Sequence, residues 1–152
     1  MTISERLATL KIDVPVAPAP VAAYAPAVKV GNIVRTSGQL PLKDGELMLT
    51  GRCGTVAVTS ELAYEAARQC ALNALAVAAE AAGGIDRLKR AVKVTGFVAS
   101  TDNFFAQPAV INGASEVLQA VFGSRHARSA VGVAALPLNA TVEVEVDFEL
   151  VD

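Results

Sequence analysis

Residues 126–137 read HARSAVGVAALP. The side chains alternate in size, so the segment predicts a strand over 127–135. Ser129, Val131, Val133 and Ala135 share one side, which suits a core. Arg128, Ala130, Gly132 and Ala134 share the other, which is nearly bare except for Arg128. A bare strand face lets another backbone or subunit approach closely. A guanidinium beside such a face can meet a carboxylate with two parallel hydrogen bonds. It can equally form a surface or interface salt bridge, the commoner use of arginine. His126, two residues earlier, falls on the same side as Arg128; there it either makes a structural hydrogen bond or titrates near neutral pH.

The elements around this strand follow from pattern. Residues 140–150 alternate without a break, with Val142, Val144, Val146, Phe148 and Leu150 pointing one way and Glu143, Glu145, Asp147 and Glu149 the other. Residues 108–122 predict a helix opened by Pro108 at its first position and closed by Gly123. Its buried stripe is Val110, Ile111, Ala114, Val117, Leu118, Val121 and Phe122, with Asn112, Glu116 and Gln119 off it. Residues 90–99 predict a strand. Residues 60–82 predict the clearest helix, capped by Thr59 or Ser60, stopped by Gly83-Gly84, and carrying a small-residue stripe of Ala63, Ala67, Cys70, Ala74, Val77 and Ala81. Residues 28–37 predict two short strands about Gly31-Asn32, and residues 42–58 a loop with a short strand at 47–49. Residues 1–27 predict an extended N-terminal segment rich in proline, opened by a helical turn around 3–10. The order β-β-(β)-α-β-α-β-β over 1–152 reads as one α+β domain.

Composition narrows the function. Hydrophobic residues are 53% and charged residues only 18% of 152, a balance that predicts apolar surface buried against other subunits. Net charge is −2 with no basic run, so a phosphate-backbone ligand is disfavoured. No apolar stretch has membrane-spanning length, and the first residues lack a signal-peptide core. Two cysteines do not make a disulfide framework, which fits a cytoplasmic protein. One histidine and two cysteines do not make a zinc site, and no Walker loop, GxGxxG or GxSxG motif is present. Cys70 reads as core filling; Cys53, beside Arg52 in a Gly-rich loop, is a candidate reactive thiol. Glu143 reads as a solvated acid unless its face is covered.

HARSAVGVAALP resembles P-x-R-S-x-V-x-V-x-x-L-P, the signature of the RidA/YjgF family, also described as endoribonuclease L-PSP. AAYAPAVKVGNIVRTSGQLP and FVASTDNFFAQPAVINGASEVLQAVFG resemble its G-P-Y … G-N … T-S-G-Q-x-P and F-V … D-F … V-N-x-x-Y … F-F blocks, so the likeness runs over about residues 21–150. It implies a chorismate-mutase-like fold, a mixed sheet backed by two helices, assembled as a homotrimer with a central barrel and clefts between subunits. It implies hydrolysis of reactive 2-imino or enamino acids to 2-oxo acids and ammonia, without a cofactor. By position, Arg128 matches the arginine that holds the substrate carboxylate and Glu143 the acid that handles water. Tyr24, Ser37 and Asn112 match other residues of the cleft. Three positions depart from the pattern: Ala130 stands where cysteine is usual, Gly132 where glutamate is frequent, and His126 where proline is common. With the longer 42–58 loop, the chain looks like a branch of about 150 residues. Two other functions compete with the deaminase: a non-catalytic trimer that senses a small 2-oxo acid, and the endoribonuclease or translation-inhibitor role of some relatives, which the charge balance disfavours.

Overall fold

The computed structural model describes residues 1–20 and 22–152. Helix α1, Ile3–Leu10, is a full helix and not a single turn. Thr2 and Glu5 cap each other's backbone in a reciprocal box. Ser4 fixes α1 to the body through two 2.7 Å hydrogen bonds to Asp86.

Strands β1 (Ala27–Val30) and β2 (Ile33–Thr36) form the hairpin that Gly31-Asn32 predicts. The next segment differs from expectation. Leu42–Lys43 (β3) and Glu46–Leu47 (β4) pair as a small hairpin about Asp44-Gly45, whose φ angles are both positive (53° and 82°). Asp-Gly is a strong hairpin signal, and the register it dictates ends the strand two residues before 49. Helix α2 spans Ser60–Ala82, capped by the Thr59 hydroxyl and ended by Gly83. Its small-residue stripe is buried as far as Val77, while Ala81 is exposed. Strand β5 is Leu88–Ala99, helix α3 is Gln107–Phe122, strand β6 is Ala127–Val133 and strand β7 is Val142–Leu150. Pro108 occupies the second helical position, with Gln107 first.

Five strands make one sheet in the order β1-β2-β7-β5-β6; β5 and β6 run parallel and the other pairs antiparallel. Helices α2 and α3 cover one face. Val94, Val98, Val142, Val144, Val146 and Phe148 meet them as a dry core. Among the described residues, no element covers the other face, where Val28, Val30 and Val131 are exposed. That face carries the β7 acids as a column. Asp147 pairs with Arg35 at 3.0 Å, and Glu149 with Lys89 and Arg90. Among the described residues, Glu143 and Glu145 have no such pair.

The two sides of β6 are the reverse of the expected ones. Arg128 stands in register with Val94, which is fully buried, and Ala130 packs against the core. Val131 stands in register with Phe97 and Glu143 and is 42% exposed. The small residues therefore make room for α3, not for a second chain, and the valines lie on the uncovered face. Side-chain size signals how closely something approaches, not whether it is a helix of the same chain.

α3 and α2 also touch closely. A Cβ on Gly113 would overlap the Tyr64 carbonyl oxygen. A backbone atom cannot yield as a side chain can, so Gly113→Ala is expected to lose about 2 kcal/mol despite alanine's better helix propensity. Thermal unfolding should read this as a fall of roughly 4–8 °C; an unchanged midpoint would refute the close packing.

Candidate functional site

Two groups of side chains account for all six residues that the sequence singles out. The first is built by the start of β6 and one face of α3. Arg128 is half-buried, and its Nη1 donates to Asn112 Oδ1 at 2.8 Å and to Ser115 Oγ at 3.2 Å. Its Nη2 donates to the Pro108 carbonyl at 3.3 Å. Pro108, Asn112 and Ser115 lie four and three residues apart, hence on one helix face. All three partners are neutral oxygens. Among the described residues, no carboxylate lies within salt-bridge distance of Arg128. His126 Nε2 lies 2.9 Å from Ser115 Oγ, while its Nδ1 is buried without a partner. Burial, and then the charge of Arg128, hold the imidazole below its ordinary 6.5, so it is neutral at pH 7.

The second group lies on the uncovered face at the start of β7. Glu143 is half-buried against Gly38, where a Cβ would overlap its carboxylate. Gly38 is held there because Gln39 pairs with Val144 through two backbone bonds of 2.8 and 3.0 Å. Burial, and then the charge of Glu145, raise the Glu143 carboxyl above 4.5, a shift that makes it a better base. Ser37 Oγ donates to the Ala25 carbonyl at 2.7 Å, which ties β2 to the proline-rich segment. Tyr24 is exposed and borders a small cleft of about 50 Å³ with Gly38, Gln39 and Leu138.

The structure thus brings Arg128, Asn112 and His126 together; separately, Glu143 lies against Gly38, the neighbour of Ser37, and Tyr24 borders a cleft lined by the same Gly38. It does not bring the two groups together. Arg128 points to the helix side of the sheet and Glu143 to the uncovered side. They are also offset by three residues of β6, about 10 Å along the strand. No rotamer change within one chain joins them.

Sequence reading missed Ser115, the hinge between Arg128 and His126. Its three-residue spacing from Asn112 was the available signal. Cys53 is corrected: it is fully buried, and burial raises its thiol to about 11, so it is no reactive nucleophile. Cys70 is core filling, as expected. Among the described residues, no cluster of His, Cys, Asp and Glu could hold a metal ion, and no helix is long and apolar enough to cross a membrane.

Comparison with protein families matches residues 14–149 to the family described as Endoribonuclease L-PSP. The chain belongs to this family, the RidA/YjgF family of the motif resemblance. Protein TCP17 of Trypanosoma cruzi is 42% identical over 97% of this chain and 94% of its own length. A 2-iminobutanoate/2-iminopropanoate deaminase of Dermatophagoides farinae is 38% identical over 88% of this chain and 91% of its own. Among solved structures, protein Atu1372 of Agrobacterium tumefaciens, described as of unknown function, superposes with a TM-score of 0.88 at 41% identity, over 99% of this chain and 94% of that one. Escherichia coli TdcF, solved with bound serine, superposes at 0.66 and 25% identity, over 89% and 94%. The α+β, chorismate-mutase-like fold of RidA/YjgF proteins is therefore the fold of this chain.

Proposed function

We propose that the chain hydrolyses reactive 2-imino or enamino acids to 2-oxo acids and ammonia, in clefts shared between copies of itself. The observation that carries this is Arg128: a half-buried cation held by three neutral oxygens, with no counter-charge among the described residues. Such a cation takes a small carboxylate at little cost, because no existing ion pair is broken. The mite relative named as an imine deaminase and the serine in TdcF support an amino-acid-like ligand.

Fixing the carboxylate places the imine carbon. Glu143 of a second copy takes a proton from water as the oxygen adds to that carbon. The nitrogen gains protons and leaves as ammonia, and the 2-oxo acid remains. The protein's own groups suffice for this, with no cofactor. The opposite placement of Arg128 and Glu143 is what calls for the second copy, and the uncovered sheet face with exposed Val28, Val30 and Val131 offers the surface for it. A homotrimer closes such a face into a barrel. An endoribonuclease would need a basic groove to track phosphates, whereas this face carries the column Glu143, Glu145, Asp147 and Glu149.

Light scattering at micromolar concentration is expected to give three times the chain mass; a monomer would sink the shared cleft. The activity test is ammonia release from imines generated in situ by an amino-acid oxidase. Acceleration over the spontaneous rate supports the deaminase. Binding of 2-oxo acids without acceleration would leave a non-catalytic sensor.

A further inference from the structure

Resting on the carboxylate reading of Arg128, we propose that Ser115 and His126 form the back of the anion site, so that an anion taken by Arg128 brings one proton onto His126 and a Ser115 hydrogen bond onto the anion. The geometry sets out the exchange. Ser115 Oγ receives a hydrogen from Arg128 Nη1 and lies 2.9 Å from His126 Nε2. With a neutral ring whose Nε2 is bare, the only hydrogen on Ser115 points to Nε2. When Nε2 takes a proton from solvent, the ring becomes the donor and the Ser115 hydrogen is released. It can then turn outward, beside Arg128, to an anion's oxygen. Ser115 is free to donate to the anion whenever Nε2 carries a hydrogen, and the charged ring always does.

The surroundings give the sign. The charged groups on the elements packed around His126 are Arg128 on its own strand, Arg125 one residue before it, Lys93 on β5 opposite Ala127, Arg6 of α1 against Gly123, and Glu116 of α3, whose carboxylate is held by the Tyr64 hydroxyl. Arg128 is the charge that bears on the ring and disfavours its protonation. An anion at Arg128 offsets that charge and so favours the imidazolium. By linkage, the same coupling makes anion affinity rise as pH falls. The buried and unpartnered Nδ1 shows that nothing else in the described chain fixes the ring's protonation. His126 is thus a positioning residue: it acts through Ser115.

The chain has one histidine, so a proton NMR titration of its ring needs no assignment. The probe is pyruvate, which is ionised throughout the range used. Pyruvate is expected to raise the His126 midpoint, and its own affinity to grow about fivefold or more between pH 8 and 5.5. His126→Asn should make the affinity independent of pH. Ser115→Ala should reduce the gain at low pH. If pyruvate binds and the midpoint stays put, the coupling is wrong and the carboxylate reading stands. If pyruvate does not bind, the carboxylate reading fails, and Arg128→Gln then decides the coupling. Removing the guanidinium charge must raise the midpoint, and an unmoved midpoint overturns the proposal.

Discussion

Arg128→Ala is expected to weaken binding of 2-oxo acids on the order of a hundredfold or more, and to abolish imine hydrolysis with it. Removing one member of a buried, hydrogen-bonded charge pair costs about 2–5 kcal/mol, and each 1.4 kcal/mol is a tenfold change. Here the pair forms only when ligand arrives, so the whole loss falls on the complex. The free protein should hardly notice. Asn112 Oδ1, Ser115 Oγ and the Pro108 carbonyl each lose a donor, but all three residues keep some exposure and water can replace it. Arg128→Lys should fail almost as badly. One ammonium cannot bond three oxygens of α3 and still present two parallel donors to a carboxylate. Calorimetry with pyruvate reads the affinity, and thermal unfolding reads the fold. Equal affinity in wild type and Arg128→Ala would place the ligand elsewhere and remove the basis for the deaminase.

How far the sequence discloses this arrangement depends on what each residue type reports. The β7 alternation is legible because polarity alternates with the pleat: Val142 to Leu150 are buried and the intervening acids are not. Helix α2 is legible because Thr59 and Gly83 cap it at both ends. The sidedness of β6 is not legible. Its pattern alternates in size, and both a neighbouring helix and a neighbouring subunit ask for small residues. The opposed directions of Arg128 and Glu143 follow only from strand order. β7 and β6 flank β5, one antiparallel to it and one parallel, and which residues of each fall level is a matter of register. Ser115 could have been read from its spacing to Asn112, but a serine on a helix gives no chemical signal until an arginine and a histidine are seen to reach it.

Glu143→Gln separates catalyst from binder. If Glu143 takes the proton from water, the amide should slow imine hydrolysis by on the order of a hundredfold while leaving pyruvate affinity unchanged, since the loss is basicity and not charge at the carboxylate. The substitution keeps the shape that Gly38 accommodates. It also has a signature that shows the fold intact. Burial, first, and the charge of Glu145, second, raise the folded-state carboxyl above its ordinary 4.5. Below pH 4.5 the folded and unfolded chains both hold the proton, and the residue costs nothing. As pH rises past 4.5 the unfolded chain releases the proton before the folded one does, and above the folded-state value the full cost of a buried carboxylate is present. Wild type therefore loses stability relative to the variant on going from acid to neutral pH. Glu143→Gln should unfold at a higher temperature than wild type at pH 7, with the gap closing below pH 4.5. A variant that is more stable, binds pyruvate equally and hydrolyses imines slowly can only have lost a chemical step. Equal turnover by both proteins would return Glu143 to the role of a half-buried acid facing solvent, and would move the search for the group that handles water to His126, which shares the Ser115 hydroxyl with Arg128.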